Sequence, residues 1–265
     1  MSAAATPCVL SGRGILVTRP AHQADALCAL IETAGGRAVR FPVMDIRPAA
    51  DPDVVQAGIA RLGEYDLAIF VSANAVNHTL DALAPRIWPS TVKIAAIGAA
   101  TDRALAARGL HVDVAPKQDF TSEALLALPE FQTVRNQRIL ILRGTGGRET
   151  LRDTLNVRGA QVDYLEVYRR DTAKTDPSAL LEHWRAGAID AVLIASTESL
   201  QKLLAIIGTL GLELLGATTL IVGNARTRQL ARELGLGGTV VVAADATDAA
   251  MLDALCAYFA DRSPR

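Results

Sequence analysis

The residues with most chemical promise in this 265-residue chain sit in short polar turns. Ser72, Ala73 and Asn74, then Thr101, then Thr121 and Ser122 follow apolar runs, and Ser196, Thr197 and Asn224 do so later. At the carboxyl end of a parallel strand such residues open a helix. The free N–H groups and positive dipole end of that helix bind anions. The plainer role for the same residues is to cap the helix, and both readings stand for each turn taken alone. Arg143-Gly-Thr-Gly-Gly-Arg148, with Gly144 behind its first arginine, is a glycine-rich turn that could cradle an anion. It matches neither the P-loop nor the dinucleotide-binding pattern. Arg19-Pro20 occupies the equivalent place earlier in the chain, and Arg226 follows Asn224. Tyr168, flanked by Arg169 and Arg170, reads equally as a half-buried packing residue and as a phenol aimed into a cleft.

Other chemistries find little footing. His22, His78, His111 and His183 are scattered, with no HExxH and no cysteine at ligand spacing, so no metal site is expected. Ser72 and Ser196 lack a nucleophile-elbow context. Cys8, Cys28 and Cys256 are odd in number and form no CxxC, which argues for a reducing cytoplasm and against a disulfide framework. The 27 Lys+Arg against 28 Asp+Glu, a net charge of −1 and 4% aromatics speak against nucleic-acid binding by charge or by stacking. Met1 to Ser11 lacks the basic and apolar regions of a signal peptide. Leu203 to Gly223 is long enough to cross a membrane, but its four glycines and three threonines predict a helix end, a turn and a buried strand. A soluble chain with no membrane partner is expected.

The elements that must position these residues are written twice. Gly14-Ile-Leu-Val-Thr-Arg19 matches Arg138-Ile-Leu-Ile-Leu-Arg143, and Tyr65-Asp-Leu-Ala-Ile-Phe-Val-Ser72 matches Ile189-Asp-Ala-Val-Leu-Ile-Ala-Ser196 at the same offset. Ile94 to Gly98 answers Thr219 to Gly223, and Thr121 to Leu125 answers Thr247 to Met251, with almost no drift in register. The pattern is a duplicated α/β unit of about 120 residues, a normal domain size. In the first copy strands are expected at Ile15–Thr18, Leu67–Val71, Lys93–Ile97 and Val112–Ala115. Helices are expected at Gln23–Ala34, Ala75–Leu83, Thr101–Ala107 and Ser122–Leu128, with another at Glu149–Asn156. Short apolar strands alternating with helices imply doubly wound parallel sheets. Arg40 to Pro48 and Val162 to Tyr168 read as a two-stranded antiparallel connector, which would pack the N-terminal segment on the second copy. The expected division is residues 1–37 with 174–265, then 50–161, with 38–49 and 162–173 as connectors.

These residues also carry a resemblance. Val17-Thr-Arg-Pro20, Ile69 to Val76, Ala96 to Thr101, Thr121 to Leu125, the Arg143 to Arg148 turn with Leu151, Glu166-Val-Tyr168 and Ala195-Ser196 follow one another in characteristic order. Over nearly its whole length, Val17 to Leu255, the chain resembles the uroporphyrinogen-III synthase family. Gly223-Asn-Ala-Arg226 departs from its first-copy counterpart, Gly98-Ala-Ala-Thr101, in having no hydroxyl there, so Arg226 is the candidate at that place. The resemblance implies two α/β domains joined by a two-stranded connector, and a cytoplasmic, cofactor-independent lyase of tetrapyrrole (heme) biosynthesis. Its substrate would be hydroxymethylbilane, cyclised with inversion of ring D and loss of water in a cleft between the domains. Tyr168 would donate to the departing hydroxyl. N–H groups after Ser72 and Ser196, with Arg19, Arg143, Arg148 and Arg226, would bind carboxylates. A monomer with this small molecule as partner is expected. Two rivals remain open: a two-lobed small-anion binding module without catalysis, and a nucleotide-dependent enzyme using the glycine-rich turn.

Overall fold

Runs in which every residue is apolar become strands with no exposed face, as parallel sheets covered by helices require. The computed structural model describes residues 9–118, 120–236 and 238–260; Cys8 and most of the Met1 to Ser11 stretch lie outside them. In chain order the first half comprises β1 (Gly14–Val17), α1 (Asp25–Thr33), β2 (Arg37–Arg40), β3 (Met44–Pro48), α2 (Pro52–Ala60), β4 (Leu67–Phe70), α3 (Ala73–Leu83), β5 (Lys93–Ala96), α4 (Ala99–Ala107) and α5 (Ser122–Ala127). Then come β6 (Arg138–Gly144), α6 (Thr150–Val157), β7 (Gln161–Thr172), α7 (Ser178–Arg185), β8 (Ala191–Ile194), α8 (Thr197–Ala217), β9 (Thr219–Val222), α9 (Ala225–Glu233), β10 (Val240–Val242) and α10 (Asp248–Phe259).

The chain divides into two compact units, one built from the residues up to Asp45 with those from Asp171 onward, the other from Ile46–Arg170. The first unit has the strand order β10-β9-β8-β1-β2, all parallel. The N-terminal β1 pairs with β8, Leu16 opposite Val192, so the N-terminal segment packs in the C-terminal sheet. Ile15, Val17, Leu27, Leu193, Ile221 and Leu255 lie in its core. The second unit has the order β3-β7-β6-β4-β5. Here alternate residues feed opposite faces. Ala68, Phe70, Leu140 and Leu142 enter one cluster, while Leu67, Ile69, Ile139 and Ile141 enter the other, the period-two rule of a strand.

Both passages between units run through neighbouring strands, β3 and β7. The Ala49 N–H donates to the Val167 carbonyl at 3.3 Å and the Ala173 N–H to the Val43 carbonyl at 3.1 Å. Position rises on one strand as it falls on the other, which is antiparallel pairing. These segments do more than connect. Residues 38–40 lie in β2, the edge strand of the first sheet, and β7 from Gln161 to Tyr168 pairs in parallel with β6.

Three expectations need correction. Val112–Ala115 is reduced to a single bridge, Ala95 with Val114. Leu203 to Gly223 holds the expected helix end, a turn at Gly208 (φ 62°, ψ −163°) and the buried strand β9, but a second helical stretch, running to Ala217, lies between turn and strand, so α8 is two helices meeting at a kink. Among the described residues α8 is long and apolar enough, by length and composition, to cross a membrane; its Leu200, Leu203, Ile207 and Leu215 are buried in the fold, while Leu210 and Leu212 are exposed. Finally, Cys28 is free and buried, but Cys256 is disulfide-bonded.

Candidate functional site

The site in the second unit begins with an irregularity in the sheet. Arg143 of β6 lies opposite Glu166 of β7, but the next residue, Gly144, lies opposite Tyr168. The extra residue on β7 is a bulge, a device that re-aims side chains. It brings the Tyr168 ring over Gly144, where a Cβ would meet Tyr168 Cζ at 2.6 Å. Only glycine admits the ring at that distance. Tyr168 is 2% exposed, and the His78 ring stacks on it with centroids 5.7 Å apart and planes at 16°. Its hydroxyl lies 3.2 Å from Ser72 Oγ and accepts from Arg170 Nη1 at 3.3 Å. Of the two readings open for Tyr168, the ring is packed more deeply than half-buried, and the hydroxyl is held among polar groups.

Ser72 serves two neighbours. It caps α3, accepting from the Ala75 N–H at 3.1 Å, while its Oγ also reaches Tyr168. Ala73 and Asn74 form the first turn behind it. Thr121 caps α5, accepting from the Ala124 N–H at 3.1 Å, with Ser122 next. Thr101 does not cap. Gly98 occupies that position in α4, and Thr101 is buried within the first turn.

Beyond the ends of β4 and β6 lies a cavity of about 290 Å³. Its polar wall includes Thr121, Ser122, Arg148 and Arg170, and Val71, Ile97 and Ile141 form its apolar wall. Thus Thr121, Ser122, Arg143, Gly144 and Arg148, scattered in sequence, line one space. Arg143, however, faces inward. Its guanidinium donates to the carbonyls of Gly144 (3.2 Å) and Gly146, pairs with Glu149 at 3.2 Å and lies 4.5 Å from the Tyr164 ring centre. Burial pushes the Tyr164 phenol above its usual range, with the Glu149 charge adding and Arg143 opposing. The glycines explain the wrapping: Gly146 (φ 73°) and Gly147 (φ 111°) take the left-handed backbone that closes the turn over Arg143. Arg143, expected as a carboxylate ligand, thus lines the cavity and also shapes this turn. Arg148 pairs with Glu123 at 2.5 Å, but both side chains are about half exposed, so the pair exchanges readily with solvent or a ligand.

The first unit holds the remaining candidates. Ser196 caps α8, accepting from the Ser199 N–H at 3.1 Å, and Thr197 starts the helix. Asn224 caps α9 by accepting from the Thr227 N–H at 2.9 Å, and Arg226 stands exposed in that first turn. Arg19 is engaged at the start of α10, donating to the Ala246 carbonyl at 2.6 Å and pairing with Asp248 at 2.8 Å. Among the described residues no group of three or more His, Cys, Asp or Glu side chains could hold a metal ion.

Two neighbours of Tyr168 escaped the sequence reading. Arg170, noted only as a flank, lies two residues along the same strand and therefore on the same face. His78, one of the four scattered histidines, comes from α3, whose start already carries Ser72. Spacing could have found the first; only the tertiary fold reveals the second.

A family model described as uroporphyrinogen-III synthase HemD matches residues 25–253. The chain is 37% identical over 245 residues to the uroporphyrinogen-III synthase of Escherichia coli (strain K12), covering 91% of this chain and 99% of that one. Identity to the Salmonella typhimurium uroporphyrinogen-III synthase is 35% over 246 residues, with the same coverage, 91% and 99%. The fold is shared with crystal structures of a mutant uroporphyrinogen III synthase from the extreme thermophile Thermus thermophilus (TM-score 0.65, 20% identity, 95% and 100% coverage) and of uroporphyrinogen-III synthetase from Helicobacter pylori (TM-score 0.59, 15% identity, 93% and 99%). With a match spanning both units of the fold, the chain belongs to the uroporphyrinogen-III synthase family.

Proposed function

We propose that this chain cyclises hydroxymethylbilane to uroporphyrinogen III, inverting ring D and releasing water. The observation that carries the reading is the 37% identity to a uroporphyrinogen-III synthase across 91% of the chain. The bilane carries its leaving hydroxyl beside an electron-rich pyrrole. The C–O bond breaks as the nitrogen lone pair pushes in, and a proton donor lets the oxygen depart as water. Attack by the substituted carbon of ring D gives a spiro intermediate, whose reopening and reclosure invert that ring. Because the open cation also closes without inversion, the protein's main contribution is to hold the chain in the productive fold.

Tyr168 is the proton donor in this reading. Its buried ring and the polar surroundings of its hydroxyl support the role. Carboxylates of the substrate would be held by N–H groups in the first turns of α3 and α8, and by Thr121, Ser122, Arg148 and Arg226. Arg19 and Arg143 would act indirectly, through the segments they brace. The finer reading is a cytoplasmic monomer, for which a single species at the mass of one chain in sedimentation is the expected result.

The test is direct. Protein mixed with freshly made hydroxymethylbilane, then oxidised, should yield the isomer III porphyrin. Isomer I alone would sink the reading and favour the anion-binding module, which the family match does not support. Tyr168→Phe should lower kcat about 100-fold; full activity removes Tyr168 from the mechanism. Arg148→Ala or Arg226→Ala should raise KM more than it lowers kcat.

A further inference from the structure

The geometry points to Arg170 as the residue that directs the Tyr168 proton, an inference that rests on the reading of Tyr168 as proton donor. Arg170 follows Tyr168 by two positions on β7, so strand alternation turns both side chains to one face. A guanidinium has only donors. At 3.3 Å from the phenol oxygen, Arg170 Nη1 must donate and the oxygen must accept. Arg170 Nη2 donates to the Thr145 carbonyl at 3.3 Å, and the Thr145 N–H donates to the Tyr168 carbonyl at 2.8 Å. The cation is therefore tied to the same stretch of backbone that holds the tyrosine.

The ring itself has little freedom, pressed between His78 and the backbone at Gly144. The remaining variable is the direction of the O–H bond. With the Arg170 side of the oxygen occupied by an N–H donor, the hydroxyl hydrogen turns away from it, towards Ser72 or a substrate hydroxyl. Ser72 Oγ already accepts the Ala75 N–H at 3.1 Å. When the proton passes to the departing hydroxyl, negative charge develops on the phenol oxygen and the bond from Arg170 becomes charge-assisted at both ends. The contact is thus stronger in the transition state than in the ground state, which raises kcat and leaves substrate binding alone. Arg170 is a positioning residue, acting through Tyr168.

The experiment is a double-mutant cycle on the full chain with hydroxymethylbilane, reading kcat and KM separately. Arg170→Gln is expected to lower kcat about tenfold with KM changed by less than about twofold, and Arg170→Lys to recover part of the loss. In the Tyr168→Phe background, where no proton remains to direct, Arg170→Gln should change kcat by less than about twofold. Equal losses in both backgrounds overturn the proposal, as does a rise in KM at constant kcat, the signature of a carboxylate anchor. Near-ultraviolet circular dichroism checks folding, and if Arg170→Gln does not fold, the cycle is run with Arg170→Lys under the same criteria. A wild-type protein that makes only isomer I overturns the proposed function itself. A wild-type protein that makes isomer III with additive losses overturns the Arg170 inference alone.

Discussion

At Gly144 a methyl group would lie 2.6 Å from Tyr168 Cζ and 3.0 Å from its hydroxyl oxygen, inside van der Waals contact. The ring cannot step aside cheaply, because His78 stacks against it. Gly144→Ala should therefore displace the phenol, lowering kcat by about 100-fold and stability by roughly 1–3 kcal/mol. Assay and urea denaturation on one preparation check both, and an unchanged kcat would mean that the phenol's position is unimportant. At this scale the sequence was partly legible. Tyr168 and Gly144 were both candidates, yet that the two touch depends on a bulge between β6 and β7 with no sequence mark of its own. Arg143 shows the opposite limit. Its type suggested an anion ligand, but Glu149, Tyr164 and the returning glycine turn claim its guanidinium.

Helices α3 and α8 are repeat equivalents and begin alike, each on a serine whose Oγ accepts an N–H at 3.1 Å. Their second contacts differ: Ser72 reaches Tyr168, whereas Ser196 reaches Ser199 Oγ at 3.0 Å. Both Ser→Ala changes should cost about 1 kcal/mol as lost caps. Ser72→Ala should also lower kcat severalfold beyond what Ser196→Ala does; matching kinetics for the two would reduce Ser72 to a cap. Strand and helix order was readable from the repeat because apolar runs and polar turns report local structure. The fourth strand of the first copy was not. Asp113 Oδ2 accepts the Ile94 N–H at 2.7 Å, so a side chain takes the donor that a longer ladder would use. At the matching Val240–Val242 the Leu220 N–H donates to the Thr239 carbonyl at 2.9 Å, and the segment forms β10.

For the molecule as a whole, the predicted pH sensitivity lies on the alkaline side. The Tyr65 hydroxyl donates to Asp163 Oδ2 at 2.8 Å. Burial first, then that hydrogen bond and the carboxylate's charge, push its phenol from 10.0 up to about 12. The folded state holds this proton more tightly than the unfolded state. Its contribution to stability is complete below about pH 10 and is lost as pH rises to about 12. Urea unfolding from pH 9 upward should show that decline, and Tyr65→Phe should flatten it; an identical slope in the variant would assign it elsewhere. The order of the strands carries a separate consequence for synthesis. A nascent chain presents β1, α1 and β2 first, but β8, the partner of β1, follows only after all of Ile46–Arg170. The inserted unit can complete its sheet while the first is still missing three of its five strands. Until then Ile15, Val17, Leu27 and Ile31 have no finished core to enter, and the edge of β1 that β8 will cover stays open to mispairing.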